Sequence, residues 1–210
     1  MIDFPEATRV HRRIPKEAFY RWMTLSADLK EKFVSDVDRI FVENSLTMEN
    51  LRLGRESDVK EILLVSISLK KKEFDGKVAE AIARQNPHKL VFLLMYDSER
   101  QLALFHGRLY RSAWMPESET SLAAKGFSLE EIWEGFIVQI ALCGERAETN
   151  GSLTIDQRLA LQEKVWKLEK LIQKTEASAW KETQPKKRFG LYQKVQEYKR
   201  ELEDLRDGQS

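Results

Sequence analysis

The side chains best suited to chemistry gather in one stretch of this chain, between Asp58 and Lys72. Asp58 and Glu61 precede a run that ends Ser68-Leu69-Lys70. Two carboxylates and a strand-borne lysine are what cleavage of a phosphodiester needs. The acids hold Mg²⁺, and the lysine supports the attacking water or the charge that develops on phosphate. Asp58, Glu61 and Lys70 are therefore the candidate catalytic residues, with Mg²⁺ as the cofactor if that chemistry operates. The set is incomplete in the place where the second strand should supply an acid. Position 68 is serine, and a hydroxyl is a poor ligand for a hard cation beside Asp or Glu.

The run Lys70-Lys71-Lys72 has a second use, contact with nucleic-acid phosphate, although a solvated strand end is the commoner origin of such a cluster. A similar basic run, Lys186-Lys187-Arg188, lies far along the chain. Other chemistry is excluded by spacing. No G-x-x-x-x-G-K-[ST] or G-x-G-x-x-G run occurs among the nine glycines, so no phosphate-cradling loop is indicated. His11, His88 and His106 stand far apart, and with Cys143 as the single cysteine they offer no metal-ligand spacing. His88, directly after Pro87 and before an apolar run, reads as a strand-entry residue rather than a base. Cys143 reads as a small buried hydrophobe on an apolar helix.

The elements that must position these residues follow from periodicity. Ser26 caps a helix whose apolar face is Leu29, Phe33, Val37, Ile40 and Phe41, ending near Asn44, and a short helix over Ala18–Met23 precedes it. Leu46–Leu53 alternates as a strand, 54–58 is a turn, and Val59–Leu69 is the strongest strand. Asp75 caps a helix carrying Val78 and Ile82, closed by Pro87. Leu90–Tyr96 is a buried strand, and Gln101–Phe105 and Leu109–Trp114 are two more, hinged near Gly107. The strand–helix–strand unit from Val59 to Tyr96 predicts a parallel crossover, and the later strands a meander. Ser128-Leu129-Glu130-Glu131 is a capping box for a helix buried through Ile132, Trp133, Phe136, Ile137 and Ile140.

Around 147–152 the pattern breaks, so the expected domains are an α/β body over 1–148 and a helical appendage over 153–207. In the appendage Leu161, Val165, Leu168 and Ile172 recur at helical spacing, as do Tyr192, Val195, Tyr198, Leu202 and Leu205 after Pro185. Two seams of this kind predict a coiled-coil-like antiparallel hairpin, with Thr183 as the cap before Pro185. Trp166, Trp180, Tyr192 and Tyr198 are its candidate interaction residues. The predicted fold class is α+β: a mixed sheet flanked by helices, restriction-nuclease-like in layout, followed by that hairpin.

Composition sets limits on all this. Apolar residues make up 42% and charged residues 33% of 210, a globular pattern with a heavily charged surface. Net charge is +1, and residues 151–210 hold 13 Lys/Arg against 10 Asp/Glu, far short of a typical DNA-binding surface. No apolar run approaches the roughly 20 residues of a membrane span. The N-terminus lacks a signal-peptide pattern, and a lone cysteine fits a reducing compartment, so the expectation is a cytoplasmic protein.

Several segments together resemble a known family. They are Arg13-Ile14-Pro15-Lys16, the Leu29–Phe41 stretch, Glu61–Leu69, Pro87-His88, Lys181-Glu182-x-Gln184 with Arg188, and Glu201-Leu202-Glu203-x-Leu205. Their order and spacing are similar to the bacterial domain-of-unknown-function family 4391, over nearly the whole chain. The resemblance implies an accessory protein encoded beside helicases and DNA methyltransferases in restriction or phage-defence loci, and it supplies no catalytic residues. The function expected is thus a non-enzymatic interaction subunit of a DNA-processing complex. Its partner would be a helicase, a methyltransferase or a second copy. A metal-dependent nuclease and a nucleic-acid binder are the alternatives.

Overall fold

The computed structural model describes residues 2, 4–18, 25–142 and 153–207. The chain divides into two compact units, Met1–Cys143 and Gly144–Ser210. The helix expected over Ala18–Met23, Cys143 and the expected boundary at 147–152 fall wholly or mostly outside the described residues.

In the first unit α1 (Ala27–Asp36) starts where Ser26 Oγ accepts the Leu29 N–H at 3.3 Å. The expected continuation of this helix to Asn44 is wrong. It ends at Asp36, and β2 (Val37–Thr47) follows without a loop. Register shifts in β2, between Val37 and Arg39 and between Val42 and Asn44, explain the error. Each shift offsets the strand's two-residue alternation, so buried Val37 and Ile40 stand three apart, as on a helix. The strand expected at Leu46–Leu53 is the end of β2 followed by a turn, in which Arg52 takes a φ of 54°.

β1 (Arg9–Arg13), β2, β3 (Glu61–Leu69), β4 (Lys89–Tyr96), β5 (Glu99–His106) and β6 (Arg108–Arg111) lie side by side in that order. A short β7 (Met115–Pro116) also pairs with β5. Only β3 and β4 are parallel, joined by α2 (Lys77–Gln85), as the strand–helix–strand reading requires. The remaining pairs are antiparallel, which makes the sheet mixed. Tight reversals at Asp97 and Gly107, both with positive φ, make the last strands a meander.

One sheet face presents Val65, Ile67, Phe92, Leu94 and Ala103 to Phe33 of α1 and to Val78, Ala79 and Ile82 of α2. By alternation the other face carries Ile62, Leu64, Val91, Leu102 and Leu104. α3 (Leu129–Ala141) lies against it through β3, β5 and β6. Ser128 caps α3 by accepting the Glu131 N–H at 3.2 Å. The Glu131 carboxylate reaches one residue further back than the expected box, accepting the Phe127 N–H at 2.8 Å.

The second unit is a helical hairpin. α4 (Ile155–Lys181) opens with a reciprocal capping box between Thr154 and Gln157, and α5 begins at Pro185 and runs to Asp207. The residue before that proline is Gln184, so Thr183 is not the cap position expected of it. Cross-helix ion pairs Glu169–Arg206 (2.9 Å) and Glu176–Lys199 (2.8 Å) fix the helices as antiparallel. Val165, Leu168, Ile172, Val195 and Leu202 bury each other along one seam, with Tyr198 and Leu205 partly buried beside them. Each such side chain contributes about 1.5–3 kcal/mol of transfer free energy. Tyr192 is not in the seam; Leu191, four residues before Val195, is half-buried in its place while Tyr192 is exposed.

No helix among the described residues is long and apolar enough to cross a membrane.

Candidate functional site

The structure spreads the candidate nuclease residues apart. Glu61 is the first residue of β3 and Lys70 the first beyond its end. Nine residues of extended chain put them about 30 Å from each other. Asp58 is exposed in the loop just before Glu61, at the far end of the strand from Lys70. Glu61 already has partners: its carboxylate accepts from Ser45 Oγ and faces His88 Nδ1 at 3.2 Å. His88 therefore stands at the entry to β4, bound across the parallel pair.

At the opposite end of β3 the acids beside the lysines are Asp36, which the sequence pattern did not single out, and Asp75, read there only as a helix cap. Asp36, at the junction of α1 and β2, is nearly enclosed and pairs with Lys71 at 2.7 Å. Burial alone would raise its carboxyl, but the Lys71 ammonium and the Ser35 hydroxyl outweigh it and hold the group below the usual carboxylate range. Asp75 is also held low, by Lys32 at 2.5 Å and by the Lys77 backbone N–H. Lys70 donates its Nζ to the Val34 carbonyl at 3.0 Å and so caps the last turn of α1, and Lys16 donates to Val37 O just beyond that helix. Burial and the neighbouring Lys70 charge lower the Lys16 ammonium. Lys72 pairs with Glu99 and lies 5.7 Å from the Trp114 ring centroid. All three lysines of the 70–72 run thus have partners inside the body.

A second carboxylate cluster crosses β1, β2 and β3. Glu43 accepts from Ser66 Oγ at 2.5 Å and meets His11 Nδ1 at 2.8 Å. His11 takes a φ of 43° at a register shift in β1, opposite the second shift in β2. A serine nucleophile needs the imidazole between hydroxyl and acid. Here the acid stands in the middle, so Ser66 cannot pass its proton to His11, and the arrangement anchors a carboxylate at the sheet edge. Among the described residues no group of three or more His, Cys, Asp and Glu side chains is placed to hold a metal ion.

The hairpin exposes four large aromatic side chains. Trp166, Trp180, Phe189 and Tyr192 are 58%, 82%, 63% and 40% exposed. With the seam at Val165, Ile172, Ala179 and Val195, the pairs Glu169–Arg206 and Glu176–Lys199 mark one flank of the hairpin. Trp166 and Trp180 each follow a buried seam residue by one position, a rotation of about 100° towards that flank. Phe189 and Tyr192, six and three residues before Val195, turn to the same side. Phe189 and Tyr192 also line an open groove with Gln193, Gln196, Glu197 and Arg200. Tyr198 is half-buried in the seam.

Beside these rings stand Lys181, Lys186, Lys187 and Arg188, all exposed, and no ion pair joins them to an acid among the described residues. Glu182, the one acid between 178 and 193, is bound to the Gln184 N–H at 2.8 Å. Phe189 escaped the sequence reading, and Lys181 entered it only within the family resemblance, not as a contact residue. Phe189 sits on no seam, and the signal for it was its place one turn before Tyr192 beside a basic run.

Fold and surface together define an α+β protein with a mixed-sheet body laced by ion pairs and a helical arm that exposes four aromatic rings. Residues 2–202 match one family model, so the match spans both units. The chain belongs to DUF4391, a domain of unknown function. No curated protein and no solved structure matches it.

Proposed function

We propose that this protein is a non-catalytic interaction subunit of a DNA-processing assembly of the restriction or defence type, and that the α4–α5 hairpin is its recognition arm. The observation that supports this is the exposed row of Trp166, Trp180, Phe189 and Tyr192 along one flank of a hairpin already closed by a separate seam. Exposed tryptophan and tyrosine at this density are typical of binding surfaces, where large rings give contact area at low entropic cost. The body's polar clusters support the same reading, since each acid near a candidate lysine is occupied by a structural partner. The partner is a helicase or DNA methyltransferase of the same system, or a second copy of the chain.

The test is tagged co-purification with those proteins, together with light scattering of the isolated chain. The native protein is expected to associate, and W166A/W180A to weaken association at least tenfold with unchanged circular dichroism. A chain that stays monomeric and captures none of these partners overturns the proposal.

A further inference from the structure

We infer that the free tip of the arm is a binding site for single-stranded nucleic acid, with Trp180, Phe189 and Tyr192 as stacking platforms and Lys181, Lys186, Lys187 and Arg188 as phosphate contacts. This rests on the reading of the hairpin as the recognition arm and assigns a ligand to one part of it.

The geometry comes from the two cross-helix ion pairs. They make the helices antiparallel, so the last turn of α4, with Trp180, lies beside the first turns of α5, with Phe189 and Tyr192. Trp180 is one residue from the end of α4, and Phe189 and Tyr192 lie four and seven residues into α5, so all three fall within about two turns of the break. Three exposed rings thus cluster on one flank near the tip, where unpaired bases could stack on them. The cations stand in the same two turns, on both sides of the break between the helices. Charge is segregated along the arm as well. Residues 178–193 hold four Lys/Arg and one acid, whereas 197–207 hold five acids and three bases. A basic tip on a chain of net charge +1 has an anion as its complement.

Two contrasts narrow the anion. In the 70–72 run Lys71 and Lys72 are paired with Asp36 and Glu99, and Lys70 is engaged by the Val34 carbonyl, so this run is a weaker competitor for phosphate. Cations alone would take duplex or single strand alike, but stacking on a ring requires an unpaired base. Trp166 lies about 21 Å further down the arm than Trp180, outside the basic region.

Fluorescence anisotropy of labelled oligo-dT with the full chain tests this. Binding is expected to weaken with salt at a log–log slope of about −2 to −3, from three or four phosphate contacts at about 0.7 each. W180A/F189A/Y192A is expected to lose at least tenfold in affinity with little change in slope, K186Q/K187Q/R188Q to flatten the slope, and W166A to bind as the native chain does. A duplex of the same length is expected to bind at least tenfold more weakly. Because these side chains are exposed, circular dichroism of each variant is expected to match the native spectrum. If polyglutamate displaces the oligonucleotide as well as unlabelled oligo-dT does, and the aromatic variant binds normally, the tip is a docking point for an acidic polypeptide. The nucleic-acid assignment then fails while the arm's interaction role stands. Absence of oligo-dT binding alongside intact co-purification has the same meaning, and absence of both overturns both.

Discussion

At the scale of single residues, Asp36 shows how a charge becomes part of a fold. Its carboxylate is almost wholly enclosed, and Lys71, the Ser35 hydroxyl and the Asp75 backbone N–H keep it ionised there. A carboxyl held below its ordinary value of 3.8 contributes stability that is fully present above that value and disappears as pH falls through the lowered one. Asp75, held low by Lys32, adds to the same acid limb. Asp36→Asn is therefore expected to cost about 1.5–3 kcal/mol at neutral pH and to flatten the loss of stability below pH 4. Urea melts from neutral pH down to about pH 3 check both effects. Lys70→Ala removes a helix-end donor and is expected to cost about 1 kcal/mol in the same melts. Asp36 was not legible in the sequence as Lys70's neighbour, because the contact depends on β2 beginning at Val37. The Glu43–His11–Ser66 cluster was invisible for a related reason. Its members are separated by 32 and 23 residues and meet only through paired bulges.

At the scale of elements, the legible parts were those with one dominant signal. β3, α2, α3 and both arm helices declare themselves by an unbroken apolar pattern or a capping residue. β2 does not, since its bulges give a strand the spacing of a helix, and its length was divided between two wrong assignments. Two substitutions test the supports described. Gly126 takes a φ of 154°, and a Cβ there would come within 2.9 Å of Glu131 Cβ and 3.1 Å of the Ile132 nitrogen. Gly126→Ala should therefore disturb the start of α3, costing more than about 1 kcal/mol, seen as a fall of several degrees in Tm. Leu168→Ala empties the middle of the arm's seam and should cost about 2–4 kcal/mol of hairpin stability. Amide exchange in α4 and α5, faster in the variant than in the native chain, reports it.

At the scale of the whole molecule, the division into body and arm is also a division of labour among polar groups. In the body Asp36, Asp75 and Glu99 pair with Lys71, Lys32 and Lys72 near one end of β3, and Glu43 is held at the sheet edge by Ser66 and His11. On the arm, Lys181, Lys186, Lys187 and Arg188 form no ion pair among the described residues, Trp180, Phe189 and Tyr192 are exposed, and exposed Trp166 carries Lys170 5.1 Å from its ring centroid. The proposals on the arm follow from that contrast, and so does the expectation that changes there alter binding with little effect on melting, whereas changes at Asp36 or Lys70 do the reverse. A matrix of both variant sets against both measurements would show the separation, and an arm variant that lowers Tm by many degrees would contradict it.

The outermost strand has one more consequence. β1 pairs on one side only, all five of its residues are exposed, three are arginines, and His11 breaks its register. An unprotected edge invites another chain to add itself as the next strand, and repeated addition ends in fibrils. Mutual repulsion between arginine-bearing edges and a kink that misaligns the hydrogen-bond row both oppose such growth. Replacing Arg12 and Arg13 with valine should thus turn a clear concentrated solution turbid, with thioflavin fluorescence rising over time. The short basic edge then serves as the molecule's guard against polymerisation.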